Sequence, residues 1–293
     1  MGLTRPLTNI AAMNRTPPTD DVLTPESRTA SPAPAWPHPV NGGATARAGA
    51  GPQPYQFSWA RHQDEVREAQ RLRHAVFAGE MGAEIDDRAL PGHDVDAFDA
   101  HCEHLLVRHL PADGSPAAVV GTYRLLTPQA AQRAGGFYSA QEFDLSALAT
   151  RLPRLVELGR SCVHPAHRDG GVILLLWSAL ARFMHDNGLD TMIGCASVSL
   201  RDGGRQAAGL WRQLSATHLA DPVWRVTPHL PLPVDALAPD HAVEAPPLIK
   251  GYLRCGARLL GAPAWDPQFN TADLPIMMDM ADLPARYRRH FLG

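Results

Sequence analysis

The residues best equipped for chemistry lie in one stretch, from Glu157 to Trp177 (ELGRSCVHPAHRDGGVILLLW). Glu157 stands in an otherwise apolar run, LVELGRSCV. A carboxyl among apolar neighbours has its pKa raised towards working pH, where it can accept a proton. A carboxylate that merely pairs with Arg160 or Arg124 to hold a sheet together fits the same position. Downstream, Val163-His-Pro-Ala-His-Arg168 leads through Asp169 to Gly170 and Gly171, and then into an apolar helix. A glycine turn feeding a helix start aims free amide N–H groups and the positive end of the helix dipole at one point, which suits a phosphate. Gly170 and Gly171 let the backbone come close, and Arg168 adds fixed charge. His164 and His167 either touch that anion or are ordinary turn histidines.

A second candidate is the loop 92–104, which carries Asp94, Asp96, Asp99 and Glu103 with His93, His101 and His104. It has neither the H-x-x-x-H nor the paired-cysteine spacing of a metal centre, so no metal is expected. On its own residues it reads as a solvated acidic loop.

Several elements must position these residues. Residues 63–81 have the spacing of one amphipathic helix, with Val66, Ala69, Leu72, Val76 and Phe77 on one side. Strand-like runs follow at 102–109 and 117–127, separated by the hairpin-type break PADGSP. Residues 155–163 and 191–200 read as further strands. A helix over 171–187 closes at Gly188, and a short one spans 204–214. Beyond a proline-rich stretch (221–247), residues 248–261 and 274–283 read as strands, and the chain ends in the basic helix ARYRRHF. Helices and strands mix without strict alternation, so an α+β domain with a mostly antiparallel sheet is expected. The apolar helix 171–187 and the Met277-Met278-Asp279-Met280 run read as core.

The chain has 293 residues, 45% hydrophobic and 19% charged, with a formal net charge of −3. That charge argues against a nucleic-acid binder. Lys250 is the sole lysine, which leaves almost no room for lysine-based covalent catalysis. The four cysteines, Cys102, Cys162, Cys195 and Cys255, form no C-x-x-C pair and are expected to be reduced core thiols in strand-like stretches. No apolar run suits a secretory leader or a membrane span. A cytoplasmic protein is expected, with any contact to the inner membrane peripheral. Residues 1–54, rich in proline and alanine, are expected to be a disordered tail, and 55–293 a single domain with a C-terminal extension from about 221.

Val163-His-Pro-Ala-His-Arg168-Asp-Gly-Gly171 resembles the pyrophosphate-binding motif of the GNAT acyltransferases, with its second half altered. Leu72-Arg73-His-Ala-Val76-Phe77, Asp94 to Asp99, Gly121-Thr-Tyr-Arg124-Leu-Leu and Glu157-Leu-Gly-Arg160 occur in the order of the acyl-homoserine-lactone synthase branch. The FDxHCEHLLV, VELGRSCVHPxxR and IGCASV segments are more similar to the bacterial ornithine N-acyltransferases of ornithine-lipid synthesis. So are Pro247-Leu-Ile-Lys-Gly-Tyr-Leu and Asp266-Pro-Gln-Phe-Asn-Thr-Ala-Asp.

That resemblance implies a GNAT fold, with a mixed, mostly antiparallel sheet flanked by helices. It implies transfer of a 3-hydroxyfatty acyl group from acyl carrier protein to the α-amine of L-ornithine, giving lyso-ornithine lipid. The carrier thioester is then a co-substrate, and no permanently bound cofactor is expected. Glu157 becomes the candidate base and the backbone N–H at Val163 or its neighbour the oxyanion donor. Asp94, Asp96 and Asp99 would receive the ornithine side-chain ammonium, which would be costly to bury without carboxylates. The ornithine carboxylate would want an arginine, Arg73, Arg124 or Arg160, among which the sequence does not choose. His164, Arg168, Gly170 and Gly171 would hold the donor phosphate. Two alternatives are an acyl-homoserine-lactone synthase using S-adenosylmethionine and a non-catalytic module that binds acyl carriers. The extension past residue 221 and the HCEHLL and CASV segments favour the first reading.

Overall fold

Runs with apolar side chains at alternate positions become strands, and two helices cover the faces those strands present. The computed structural model describes residues 54–292; the tail expected to be disordered lies outside the described residues apart from Pro54. In chain order the elements are β1 (Tyr55–Trp59), α1 (Gln63–His74), β2 (Glu103–His109), β3 (Ala118–Leu126), α2 (Pro128–Ala134) and β4 (Phe143–Asp144). Next come β5 (Leu155–Val163), α3 (Gly171–Asp186), β6 (Thr191–Ser199), α4 (Arg205–Ser215), β7 (Thr227–Pro228) and α5 (Val234–Leu237). Then follow α6 (Pro247–Arg254), β8 (Arg258–Leu259), β9 (Ala264–Asp266), β10 (Thr271–Asp279) and α7 (Ala285–Leu292).

The main sheet runs β1-β2-β3-β5-β6-β10-β8, with β9 also paired to β10. Every pairing in it is antiparallel except β5–β6. On one face α3 seats Val172, Leu176, Leu180, Phe183 and Met184 against Trp59, Leu105, Val107, Leu125 and Val156. Each such side chain contributes about 1.5–3 kcal/mol by leaving water. Residues of the opposite parity, including Arg124 on β3 and Glu157 on β5, turn to the other side of the sheet, where α1 contacts β3 and β5.

β5 and β6 pair over Leu155–Glu157 and Thr191–Ile193, and beyond that β6 is hydrogen-bonded to β10. A Cβ on Gly194 would lie 2.4 Å from the Leu158 carbonyl oxygen, so glycine is what lets the two strands approach before they part. The register of β5 against β3 slips between Thr122 and Arg124, which puts an extra residue on β5 at Arg160 and Ser161. Arg160 sits there with φ 50°, a bulge conformation that glycine usually fills.

Two expected elements are corrected. The helix expected over 63–81 is α-helical only to His74; over Ala75–Glu80 it widens into π turns, with Met81 N–H bonded to Val76 O. Gly82, at φ 74°, follows the widened turns. The strand expected over 248–261 is α6 up to Arg254. Pro247 has the φ of a first helical turn, and Leu248, Ile249, Tyr252 and Leu253 share the helical spacing of one face. Only Arg258 and Leu259 of that stretch are strand. Cys255 therefore ends a helix, and Cys102 follows a 3-10 turn.

Candidate active site

Where β5 and β6 separate, a cavity of about 740 Å³ opens. Its polar lining includes Arg124, Tyr138, Ser139, Glu157, Arg160, Asp266 and Asp273. Its apolar lining includes Trp177, Leu248, Ile249, Ile276 and Met278, and Arg168 and Gly170 border it as well. The widened turns after α1 place Val76, Phe77 and Glu80 on the same wall.

Glu157 is 4% exposed. Its Oε2 accepts the Tyr138 N–H at 2.6 Å and its Oε1 the Ser139 N–H at 2.7 Å, with the Ser139 hydroxyl also donating to Oε1. Burial raises the carboxyl above the ordinary range, while the Ser139 and Tyr138 donors and the Arg124 charge pull it back. The pKa of the carboxyl stays raised overall, and the group lies on the cavity wall.

The three arginines and three aspartates named from the sequence do come together. Arg73, fully buried, donates from Nε to Asp94 at 2.7 Å and from Nη1 and Nη2 to Asp99 at 2.9 and 2.8 Å. Arg124 Nη1 donates to Asp96 at 2.6 Å and Asp99 at 2.9 Å. Arg160 Nη2 donates to Asp96 at 3.1 Å, and its Nε lies 3.2 Å from Asp94. Gln70 and His104 complete the cluster through the Asp99 carboxylate and carbonyl. Burial opposes ionisation of Asp99, but Arg73 and Arg124 outweigh it and hold the carboxyl below its ordinary range. None of the three aspartates lines the cavity, whereas Arg124 and Arg160 do. The Arg160 guanidinium is sandwiched by the Tyr138 and Phe269 rings, 5.1 and 4.7 Å from their centroids.

The turn after β5 is likewise occupied by its own side chains. Arg168 forms a double hydrogen bond to Glu80, at 2.7 Å on each side, and its Nε donates to the Val163 carbonyl. The Gly171 N–H donates to Asp169 at the start of α3, and Gly170 holds φ 99° there. The His164 side chain accepts its own turn's Ala166 N–H, and His167 meets the Tyr55 hydroxyl at 3.1 Å. His164 and Gly171 stand behind Gly170, His167 and Arg168, which reach the cavity wall. The His164 N–H bonds to Val120 O on β3, so the N–H of Val163, one residue earlier, points to the opposite edge, into the gap beside β6.

Sequence reasoning missed the Tyr138–Ser139 amides, because backbone donors carry no residue-type signal. It also missed Asp273, Glu142 and Tyr252. Tyr252 meets Tyr123 through the two hydroxyls and stacks near Trp177 at 5.7 Å. All four cysteines are free. Burial pushes Cys102 and Cys162 up to about 12 and Cys255 to about 11, so none is a ready thiolate nucleophile. No described helix is long and apolar enough to cross a membrane.

Residues 72–178 match the acetyltransferase (GNAT) domain family. The L-ornithine N(alpha)-acyltransferase of Agrobacterium fabrum (strain C58) is 39% identical, over 80% of this chain and 84% of its own length. That of Rhodobacter capsulatus is 35% identical, over 83% and 96%. The solved acyl-homoserine-lactone synthase LasI is 15% identical with a TM-score of 0.46, covering 82% of this chain and 94% of its own. The mixed sheet, the parting of β5 from β6 and the family match agree with the expected GNAT fold, and the chain belongs to the L-ornithine N(alpha)-acyltransferase family.

Proposed function

We propose that the chain transfers a 3-hydroxyfatty acyl group from acyl carrier protein to the α-amine of L-ornithine, giving lyso-ornithine lipid. The observation that carries this reading is the buried Glu157 carboxyl on the wall of a cavity with both an apolar and a polar lining. Family membership supports the choice of ornithine.

The neutral amine attacks the thioester carbonyl; the C–N bond forms, the C–S bond breaks, and the carrier leaves as a thiol. Starting from an ammonium, one proton is released overall. Glu157 takes a proton from the attacking nitrogen, a role its raised pKa suits. The Val163 N–H, turned into the gap, faces the charge that develops on the carbonyl oxygen. Arg160 takes the substrate carboxylate, with Asp94 and Asp96 holding its guanidinium in place rather than meeting the substrate themselves. Trp177, Leu248 and Ile249 receive the acyl chain. Gly170 and the start of α3 receive the donor's phosphate once Arg168 turns from Glu80.

Incubation of the purified protein with 3-hydroxyacyl carrier protein, or with the matching coenzyme A thioester, and a panel of amino acids tests the proposal by product mass. N-acylated ornithine formed from the carrier-protein donor supports it. A homoserine lactone formed with S-adenosylmethionine, or no product with any pair, contradicts it.

A further inference from the structure

We infer that Glu142 and Asp273 form the seat for the side-chain ammonium of a diamino-acid substrate, and so select it over neutral amino acids. The inference rests on the acyl-transfer reading above and names the part of the cavity that recognises the second nitrogen.

The aspartates of the 94–99 segment are already turned towards Arg73, Arg124 and Arg160, so a cation entering the cavity must find its counter-charge elsewhere. Three other carboxylates, Glu157, Asp266 and Asp273, line the polar wall, and Glu142 lies beside Asp273 and Cys195 without itself lining the cavity. Glu157 is engaged by the Tyr138 and Ser139 donors. Asp266 caps the turn that follows β9, accepting the Gln268 and Phe269 N–H groups. The remaining two, Glu142 and Asp273, hydrogen-bond to each other. Asp273, 4% exposed and on the cavity wall, accepts the Thr271 hydroxyl at 2.9 Å and is also hydrogen-bonded by Ser197. Glu142 Oε2 is buried with no hydrogen-bond partner.

An oxygen of each and Cys195 Sγ lie within 4.8 Å of one another. Burial, then the neighbouring Asp273 and Asp266 charges, push Glu142 up to about 9, and Asp273 is raised by burial as well. A buried carboxylate beside a second, partly buried one either keeps a proton between them or receives a cation. A primary ammonium fits, because its three N–H donors can meet oxygens from both groups. A metal ion fits less well: its thiol ligand must give up a proton, and burial drives the Cys195 pKa well above the ordinary value.

Ser139 joins this seat to the candidate base. Its hydroxyl donates to Glu157 and lies 3.7 Å from Cys195 Sγ. Seat and base are thus neighbours, as the two nitrogens of one short diamino acid require. When the ammonium binds, Glu142 ionises and its proton leaves to solvent.

The test compares ornithine with norvaline, the same carbon skeleton without the side-chain nitrogen. For the unaltered protein the kcat/KM ratio should favour ornithine. In Glu142→Gln and Asp273→Asn it should fall about tenfold to a hundredfold, the cost of one lost charge-assisted contact. An unchanged ratio in folded variants overturns the inference, as does loss of activity on chelation that an added divalent ion restores. If either variant fails to fold, calorimetry on the unaltered protein in two buffers of different ionisation enthalpy decides. Ornithine binding should release about one more proton than norvaline binding, and equal release overturns the inference. No turnover of ornithine by the unaltered protein would instead count against the acyl-transfer reading itself.

Discussion

Glu157 and Ser139 share a two-point contact, with both the amide and the hydroxyl of Ser139 donating to Glu157 Oε1. The contact fixes the carboxyl on the cavity wall. It also leaves the carboxyl's ionisation to a contest between burial and those donors.

Glu157→Gln should fold normally and turn over about 10²–10⁴-fold more slowly, the range for a lost general base. The pH profile gives a sharper check. Because burial raises the Glu157 pKa, its proton should come off above the ordinary carboxylate range, and kcat/KM should climb as pH rises through that point. The rising limb should vanish in the glutamine variant. A profile identical in both proteins would assign the limb to another group.

Arg73→Met should lower stability by about 3–5 kcal/mol in urea unfolding, since it leaves Asp94 and Asp99 buried without their main counter-charge. A change below about 1 kcal/mol would mean that Arg124 and Arg160 suffice to hold the cluster.

Arg160→Gly separates structure from function in the same cluster. Glycine accepts the φ of 50° without strain, Asp96 keeps Arg124 and Asp94 keeps Arg73. Stability should change by no more than about 1–2 kcal/mol, while the KM for ornithine rises at least about tenfold. A normal KM would remove Arg160 from substrate binding.

Leu248→Trp should narrow the apolar wall, so that kcat/KM for long acyl donors falls more than for short ones. An equal fall for every chain length would place the acyl chain elsewhere.

The sequence exposed those parts of the fold whose cause is local. β5 runs from Leu155 to Val163 as its apolar run indicates, and α3 begins where Gly170 and Gly171 end the turn. Residues 248–254 misled because Leu, Ile, Tyr and Leu suit a strand as well as a helix, and only Pro247 favoured the helix. Within the site, Glu157 and Arg160 were legible because a charged residue in an apolar run needs a reason. The seat at Glu142 and Asp273 was not, since a 3-10 turn and a distant strand bring those two together and neither stands out along the chain. The ion pairs that occupy Asp94, Asp96 and Asp99 were hidden for the same reason: Arg73, Arg124 and Arg160 come from α1, β3 and β5.

One measurement bears most directly on the central claim: a single turnover with excess protein, 3-hydroxyacyl carrier protein and ornithine labelled with nitrogen-15 at the α position. The account predicts that the amide nitrogen of the product carries the label, because the side-chain ammonium is held at Glu142 and Asp273 while the α-amine meets Glu157. An unlabelled amide nitrogen, or a carrier thioester left intact beside ornithine, would contradict it.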